Sequence, residues 1–242
     1  TISLLIMIAS VYLAIDDIKI IARFFTLASF LILIIIILSV LNFTHELDFQ
    51  YVRPIGHSGI KNIVLGSSDS LISMLGFEIL LLTYPYVQDK EKGYLKTISL
   101  GNLSITFLYT FFVFTTLISF SPVIIKQIKE PLLYIFRGLS YQLMDRLDLI
   151  FISIWIVPMT TSVVAYLFMA SKSISKQKKS YSKLVVANGI LIFCITLIPV
   201  DDLLLNKLSD LIKYLSYIFA FGLPLFLLLV SYIFKKQEVD DV

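Results

Sequence analysis

Along this chain, apolar positions do not recur every second or every fourth residue. They run on in unbroken blocks separated by short polar connections. Seven such blocks can be marked, at 2–15, 20–43, 69–87, 97–125, 148–171, 184–200 and 211–234. Most approach the roughly 20 residues that a helix needs to cross a bilayer's hydrocarbon core. Their continuity, without strict alternation of apolar and polar residues, excludes the dyad pattern of a membrane β-barrel. The pattern predicts an all-α integral membrane protein of seven transmembrane helices, forming one membrane domain over residues 1–242. The connection 129–148 is different in kind. Pro131 is followed there by Leu132, Leu133, Ile135, Phe136, Leu139 and Leu143. This predicts a short amphipathic helix lying on the membrane surface or packed as a lid.

Composition agrees with this class. Hydrophobic residues make up 58% of the chain, charged residues 15%, and the mean hydropathy is +0.91. A soluble domain carries about 25% charged residues. The single cysteine, Cys194, lies in an apolar run and is expected to be a buried, inert thiol, so a disulfide framework is ruled out. The first block is short for a span and is preceded by neither a basic start nor a cleavage site. It is therefore expected to be the tail of a helix that begins further upstream.

Net charge is +3, but its distribution says more. Alternate connections (16–23, 88–96, 171–183 and the tail from Lys235) hold twelve Lys and Arg, against eight in the other set. The cluster Lys172, Lys176, Lys178, Lys179 and Lys183 is the strongest marker. The positive-inside rule then places the C-terminus in the cytoplasm. Topology is sufficient reason for this cluster, without a nucleic-acid partner.

Candidate chemistry is confined to a few places. Glu78 stands inside the block 69–87, where a carboxylate at mid-membrane costs roughly 2.5–3.5 kcal/mol and so is kept for protein, water or ligand contacts. Gly76 precedes it and Pro85 follows, the two residue types that most readily loosen a helix. Thr160, Thr161 and Ser162 lie mid-span in 148–171, as ion ligands or, more simply, as hydroxyls bonded to their own helix. Arg146 can pair with Asp145 or Asp148 at the mouth of that span, an ion pair suited to a helix start. The connection after the second block carries His45, Glu46, Asp48 and His57, but twelve residues separate the histidines and no metal-ligand spacing results. No cofactor is implied. The chain lacks a nucleotide loop, HExxH and GxSxG, so an enzyme is not expected.

The stretch from Arg53-Pro-Ile-Gly-His-Ser-Gly to Gly66, followed by Ile72-Ser-Met-Leu-Gly-Phe-Glu-Ile-Leu-Leu-Leu-Thr-Tyr-Pro85, resembles the spore germination permease-like proteins. Arg146-Leu-Asp-Leu-Ile-Phe-Ile-Ser-Ile-Trp155, the turn Asp17 to Arg23 and the late Pro224 fit the same family. These are the B subunits of nutrient germinant receptors, within the amino acid–polyamine–organocation superfamily. The resemblance implies spans 4–10 of a ten-span inverted-repeat transporter fold, with three spans upstream. It puts Gly76-Phe77-Glu78 on the break of the sixth span, with a facing first span outside this sequence. Ser73, Gly76, Phe77 and Glu78 are then the implied ligand-binding residues, with Pro85, Arg146 and Asp148 gating or structural.

The expected function is a membrane subunit of a spore germinant receptor, in the spore inner membrane. It would bind a small nutrient such as an amino acid, with a larger membrane subunit and a lipoprotein as partners. The amides of the half-helix after Gly76 are expected to face the nutrient's carboxylate. An ion-coupled amino acid permease and a nonfunctional truncated remnant are the alternatives.

Overall fold

The computed structural model describes residues 2–44, 47–87, 93–138, 146–175, 178–198 and 201–234. His45, Glu46, Leu139, Leu143, Asp145, Lys176 and the tail from Lys235 lie outside the described residues, as do the side chains of Lys178 and Lys179. The helices in chain order are α1 (Ile2–Ala14), α2 (Ile18–Val40), α3 (Gly59–Ser73), α4 (Ile79–Thr83), α5 (Tyr94–Ser119), α6 (Pro131–Gly138), α7 (Leu147–Ile174), α8 (Lys178–Thr196), α9 (Asp202–Ser216) and α10 (Leu223–Phe234). No strand occurs among the described residues.

Among the described residues, four helical segments are long and apolar enough to cross a membrane: α2, α5, α7 and the continuous run Leu203–Ile233. The apolar parts of α1 and α8 are shorter. The block 69–87 is interrupted rather than continuous: α3 stops at Ser73, and a turn separates it from the five-residue α4. Of the seven expected spans, four are therefore present as long apolar helices.

Several boundaries differ from those expected of the sequence, each for a local reason. α5 ends at Ser119, with Phe120 already extended, because Pro122 disfavours helical backbone at Ser121. The connection 201–213, expected as a loop, is mostly helix α9. Asp201 stands at its N-cap and Lys213 in its last turn, the charge order that a helix dipole favours. Cys194, expected to be buried, is exposed. Its helix offers only a narrow packed face, and position 194 falls outside it.

The described chain forms two compact units, Thr1–His57 with Leu82–Phe193, and Ser58–Leu81 with Cys194–Val242. In the first, α7 is the central element, packed by α1, α2 and α6. One core joins Ala14, Ile21, Val164, Leu167, Phe168, Tyr181 and Val185. The second joins Ile35, Phe112, Ile135, Phe136, Leu147 and Phe151. Pro131 opens α6, where its missing N–H is no loss, and Ile135 and Phe136 are buried. The described part of this amphipathic stretch, Pro131–Gly138, is thus a docked helix rather than a free surface one.

Several hydroxyls along α5 turn inward on their own backbone. On α5, Ser104, Thr106, Thr110, Thr115, Thr116 and Ser119 each donate to the carbonyl four residues earlier, at 2.6–2.9 Å. In a medium without water, this bonding hides the hydroxyl at no cost in partners.

Gly189 of α8 permits close approach of α1: a Cβ built there would overlap the Val11 side chain. Valine in a helix is held to one rotamer and cannot swing away. Gly189→Ala should therefore destabilise the first unit by about 1–3 kcal/mol, read as a lower unfolding midpoint in detergent. Adding Val11→Ala should restore most of the loss. No recovery in the double variant would show that the two positions do not meet.

In the second unit, α9, the π-helical turn Tyr217–Gly222 and α10 form one long helix. The π turn has a cause in Pro224, which lacks an N–H to donate back along an α-helix. Widening to π geometry moves the register, and the Leu223 N–H bonds the Ile218 carbonyl five residues back.

Candidate functional site

The interruption between α3 and α4 is built by Gly76 and Glu78. Gly76 has φ +125°, a backbone region that side-chain-bearing residues rarely adopt. Its N–H would be orphaned by the turn, and it donates to the Glu78 carboxylate Oε2 at 2.8 Å. The chain then tightens. Ile79, Leu80 and Leu81 donate to the carbonyls of Gly76, Phe77 and Glu78 at 3.0–3.3 Å, each three residues back. The amides of Gly76, Ile79, Leu80 and Leu81 are thus bonded within the segment itself. Glu78 is half-buried, and its carboxylate caps the broken helix.

Phe77 faces the π turn of the last long helix, its ring 5.6 Å from that of Phe221. Phe221 in turn lies 6.4 Å from the Tyr217 ring, and the Tyr217 hydroxyl donates to the Ser68 carbonyl on α3 at 2.6 Å. Two irregular helix segments therefore meet through three aromatic rings. Tyr217 and Phe221 carry no signal of their own in the sequence. The nearby Pro224 is the available one, since a proline inside a span implies a loosened turn before it. Ser73 ends α3 on an exposed position, and Pro85 sits in the exposed 3-10 turn Tyr84–Tyr86.

A prediction isolates the backbone's part. A Cβ at Gly76 would meet nothing within 4 Å, so any loss comes from the φ angle and not from crowding. Gly76→Ala and Gly76→Val should both destabilise, by about 1–3 kcal/mol, and by similar amounts. A loss that grows steeply with side-chain size, measured by unfolding in detergent, would contradict this.

In the first unit, Asp148 opens α7 with its side chain only 2% exposed. Arg146 binds it with a fork, Nε to Oδ1 at 3.1 Å and Nη2 to Oδ2 at 3.2 Å. Arg137, at the end of α6, approaches the same carboxylate at 3.9 Å. The hydrogen bond to Asp148, helped by its charge, makes Arg146 hold its proton even more firmly than usual. Arg146 and Asp148 are thus joined as expected from their spacing. The contribution of Arg137 has no counterpart in that spacing, because only the docking of α6 brings it there.

Thr160, Thr161 and Ser162 donate to their own helix, to the carbonyls of Ile156, Pro158 and Pro158 at 2.8, 2.6 and 3.5 Å. They cluster beside Pro158, whose ring interrupts the α7 ladder. Asp48, which shares its connection with the histidines, caps a 3-10 turn by accepting from the Gln50 N–H at 2.8 Å.

A chain that is helical throughout its described regular elements, with several apolar helices long enough to cross a bilayer, is a membrane protein. Its family follows from comparison: residues 1–202 match the family described as spore germination protein, and the chain belongs to it. It is 29% identical over 150 residues to spore germination protein GerQB of Bacillus cereus, covering 59% of this chain and 41% of that protein. It is 26% identical over 226 residues to spore germination protein A2 of Bacillus subtilis (strain 168), covering 91% of this chain and 60% of that protein. The chain thus spans about two-fifths to three-fifths of the length of these relatives. No solved structure matches it.

Proposed function

We propose that this protein is the membrane subunit of a spore nutrient germinant receptor. It binds a small nutrient, such as an amino acid, beside the Gly76–Glu78 break and passes a conformational signal to a larger membrane subunit and a lipoprotein. The observation that carries this reading is the break itself, in a chain belonging to a spore germination family. A helix interrupted at membrane depth is tolerated where it lines a cavity or packs on protein, and a half-buried carboxylate there can orient a ligand's ammonium group. On this reading the seven apolar blocks are spans 4–10 of a ten-span inverted-repeat fold. The protein sits in the spore inner membrane with its C-terminus in the cytoplasm.

The test uses spores of the host with the gene deleted and then restored. Deletion should abolish germination in response to at least one single amino acid or similar nutrient, and restoration should recover it. Unchanged responses to every nutrient that germinates the parent would overturn the reading. Concentrative uptake that needs an ion gradient, in vesicles bearing the protein, would replace it with a permease.

A further inference from the structure

A cavity lies wholly within the first unit, away from the Gly76–Glu78 segment in sequence and independent of the reading given to it. It has a volume of about 230 Å³, where α1 turns into α2 and α7 gives way to α8. This is below the roughly 300–1,000 Å³ of pockets for drug-sized molecules, so it suits a small solute or headgroup. Its wall carries both signs of charge. Asp16, Asp17 and Lys172 all line it, with the hydroxyl residues Ser175 and Ser182 and the apolar Phe168 among the rest.

Lys172 is held rather than loose. Its Nζ lies 5.9 Å from the centre of the Tyr86 ring and 5.7 Å from that of Tyr181, within cation–π reach of both. Tyr181 is itself fixed, its buried hydroxyl donating to the Ala14 carbonyl at 2.5 Å. Lys172 also occupies the last turn of α7, where the helix dipole favours a cation. The ammonium is therefore anchored at a cavity that Asp16 and Asp17 also line.

We propose that this cavity binds a small zwitterion, a molecule carrying an ammonium group together with a carboxylate or phosphate. The anionic group meets Lys172 and the hydroxyls of Ser175 and Ser182, and the ammonium meets Asp16 and Asp17. A lone anion would meet two carboxylates in the lining, and a lone cation would meet Lys172; only a ligand with both charges is matched by both kinds of group. A free metabolite such as an amino acid and the headgroup of phosphatidylethanolamine share this chemistry.

The test uses the intact protein in nanodiscs. Radiolabelled glycine is titrated in phosphatidylcholine discs, and retained lipid is read by native mass spectrometry after mixed phosphatidylethanolamine and phosphatidylcholine discs. Saturable glycine binding that the cavity's charge variants weaken assigns a free zwitterion, and selective retention of phosphatidylethanolamine that they weaken assigns the lipid headgroup; either supports the proposal, and Glu78→Gln should leave it unchanged. Lys172→Met, and Asp16→Asn combined with Asp17→Asn, should each weaken binding about tenfold or more, as loss of a charged hydrogen bond implies. Methylammonium and acetate at matched concentration should not displace the probe. Neither ligand binding, or binding unchanged in both charge variants, overturns the proposal. If a charge variant fails to fold, Ser175→Ala combined with Ser182→Ala replaces it, and unchanged binding there has the same consequence.

Discussion

Glu78→Gln should raise the nutrient concentration needed for half-maximal germination by about tenfold or more, while protein level in the spore membrane stays normal. The magnitude follows from the roughly 1.5–3 kcal/mol carried by a hydrogen bond to a charged group. The substitution separates the capping bond of Glu78 from its proposed role toward a ligand. A glutamine side-chain oxygen can still accept from the Gly76 N–H, the bond that Glu78 makes at 2.8 Å, so the broken helix keeps its cap. What it loses is the negative charge that would attract a ligand's ammonium. Glu78→Leu removes both and should also lower the amount of folded protein, because the Gly76 amide loses its acceptor. Germination is followed by the fall in absorbance of spore suspensions, and protein level by immunoblot. An unaltered half-maximal concentration in Glu78→Gln, at normal protein level, would remove the charge from the proposed site and leave Glu78 as a structural cap alone.

The largest effect on stability is expected at Phe136. This side chain is fully buried and stacks on Phe151 with ring centres 4.5 Å apart and an interplanar angle of 19°. Phe151 continues the stack onto Trp155 at 5.5 Å and 22°. Phe136→Ala should cost about 3–5 kcal/mol, the lost burial plus the cavity that the rigid surroundings cannot fill. Phe136→Leu should cost much less, since most of the volume remains. Trp155 is the chain's single tryptophan, so its fluorescence reports this cluster without interference. Denaturant unfolding followed by that emission should show midpoints rising from Ala to Leu to the parent. Equal midpoints for Ala and the parent would mean that α6 is not docked as described.

Much of this architecture is legible in the order of the residues. The apolar blocks mark four long helices well, because a membrane-length run of Ile, Leu and Phe has few other ways to satisfy its backbone. Gly76 beside Glu78 marks a weak point because glycine alone reaches the required φ without strain. The Arg146 and Asp148 spacing suffices for a pair at the start of α7. Other features are hidden for physical reasons. The helix α9 escapes a reading by hydropathy because its charged residues resemble a connection, whereas on the helix Asp201 stands at the N-cap and Lys213 in the last turn, the ends that the dipole favours. Cys194 is exposed against expectation because an apolar neighbourhood in sequence does not say which face of a helix packs.

The sequence by itself determined the class of this protein, the helical blocks and the place where one of them must loosen. These depend on interactions within a few residues: burial of apolar runs, loss of an amide at proline and the freedom of glycine. Only the tertiary structure decided that Glu78 caps its own break, that Phe77 meets the π turn at Phe221, and that Arg137 joins Arg146 on Asp148. It alone brought Asp16 and Asp17 to the same cavity as Lys172. Those pairings join residues on separate elements or depend on side-chain direction, and a linear pattern of apolar and polar residues carries neither.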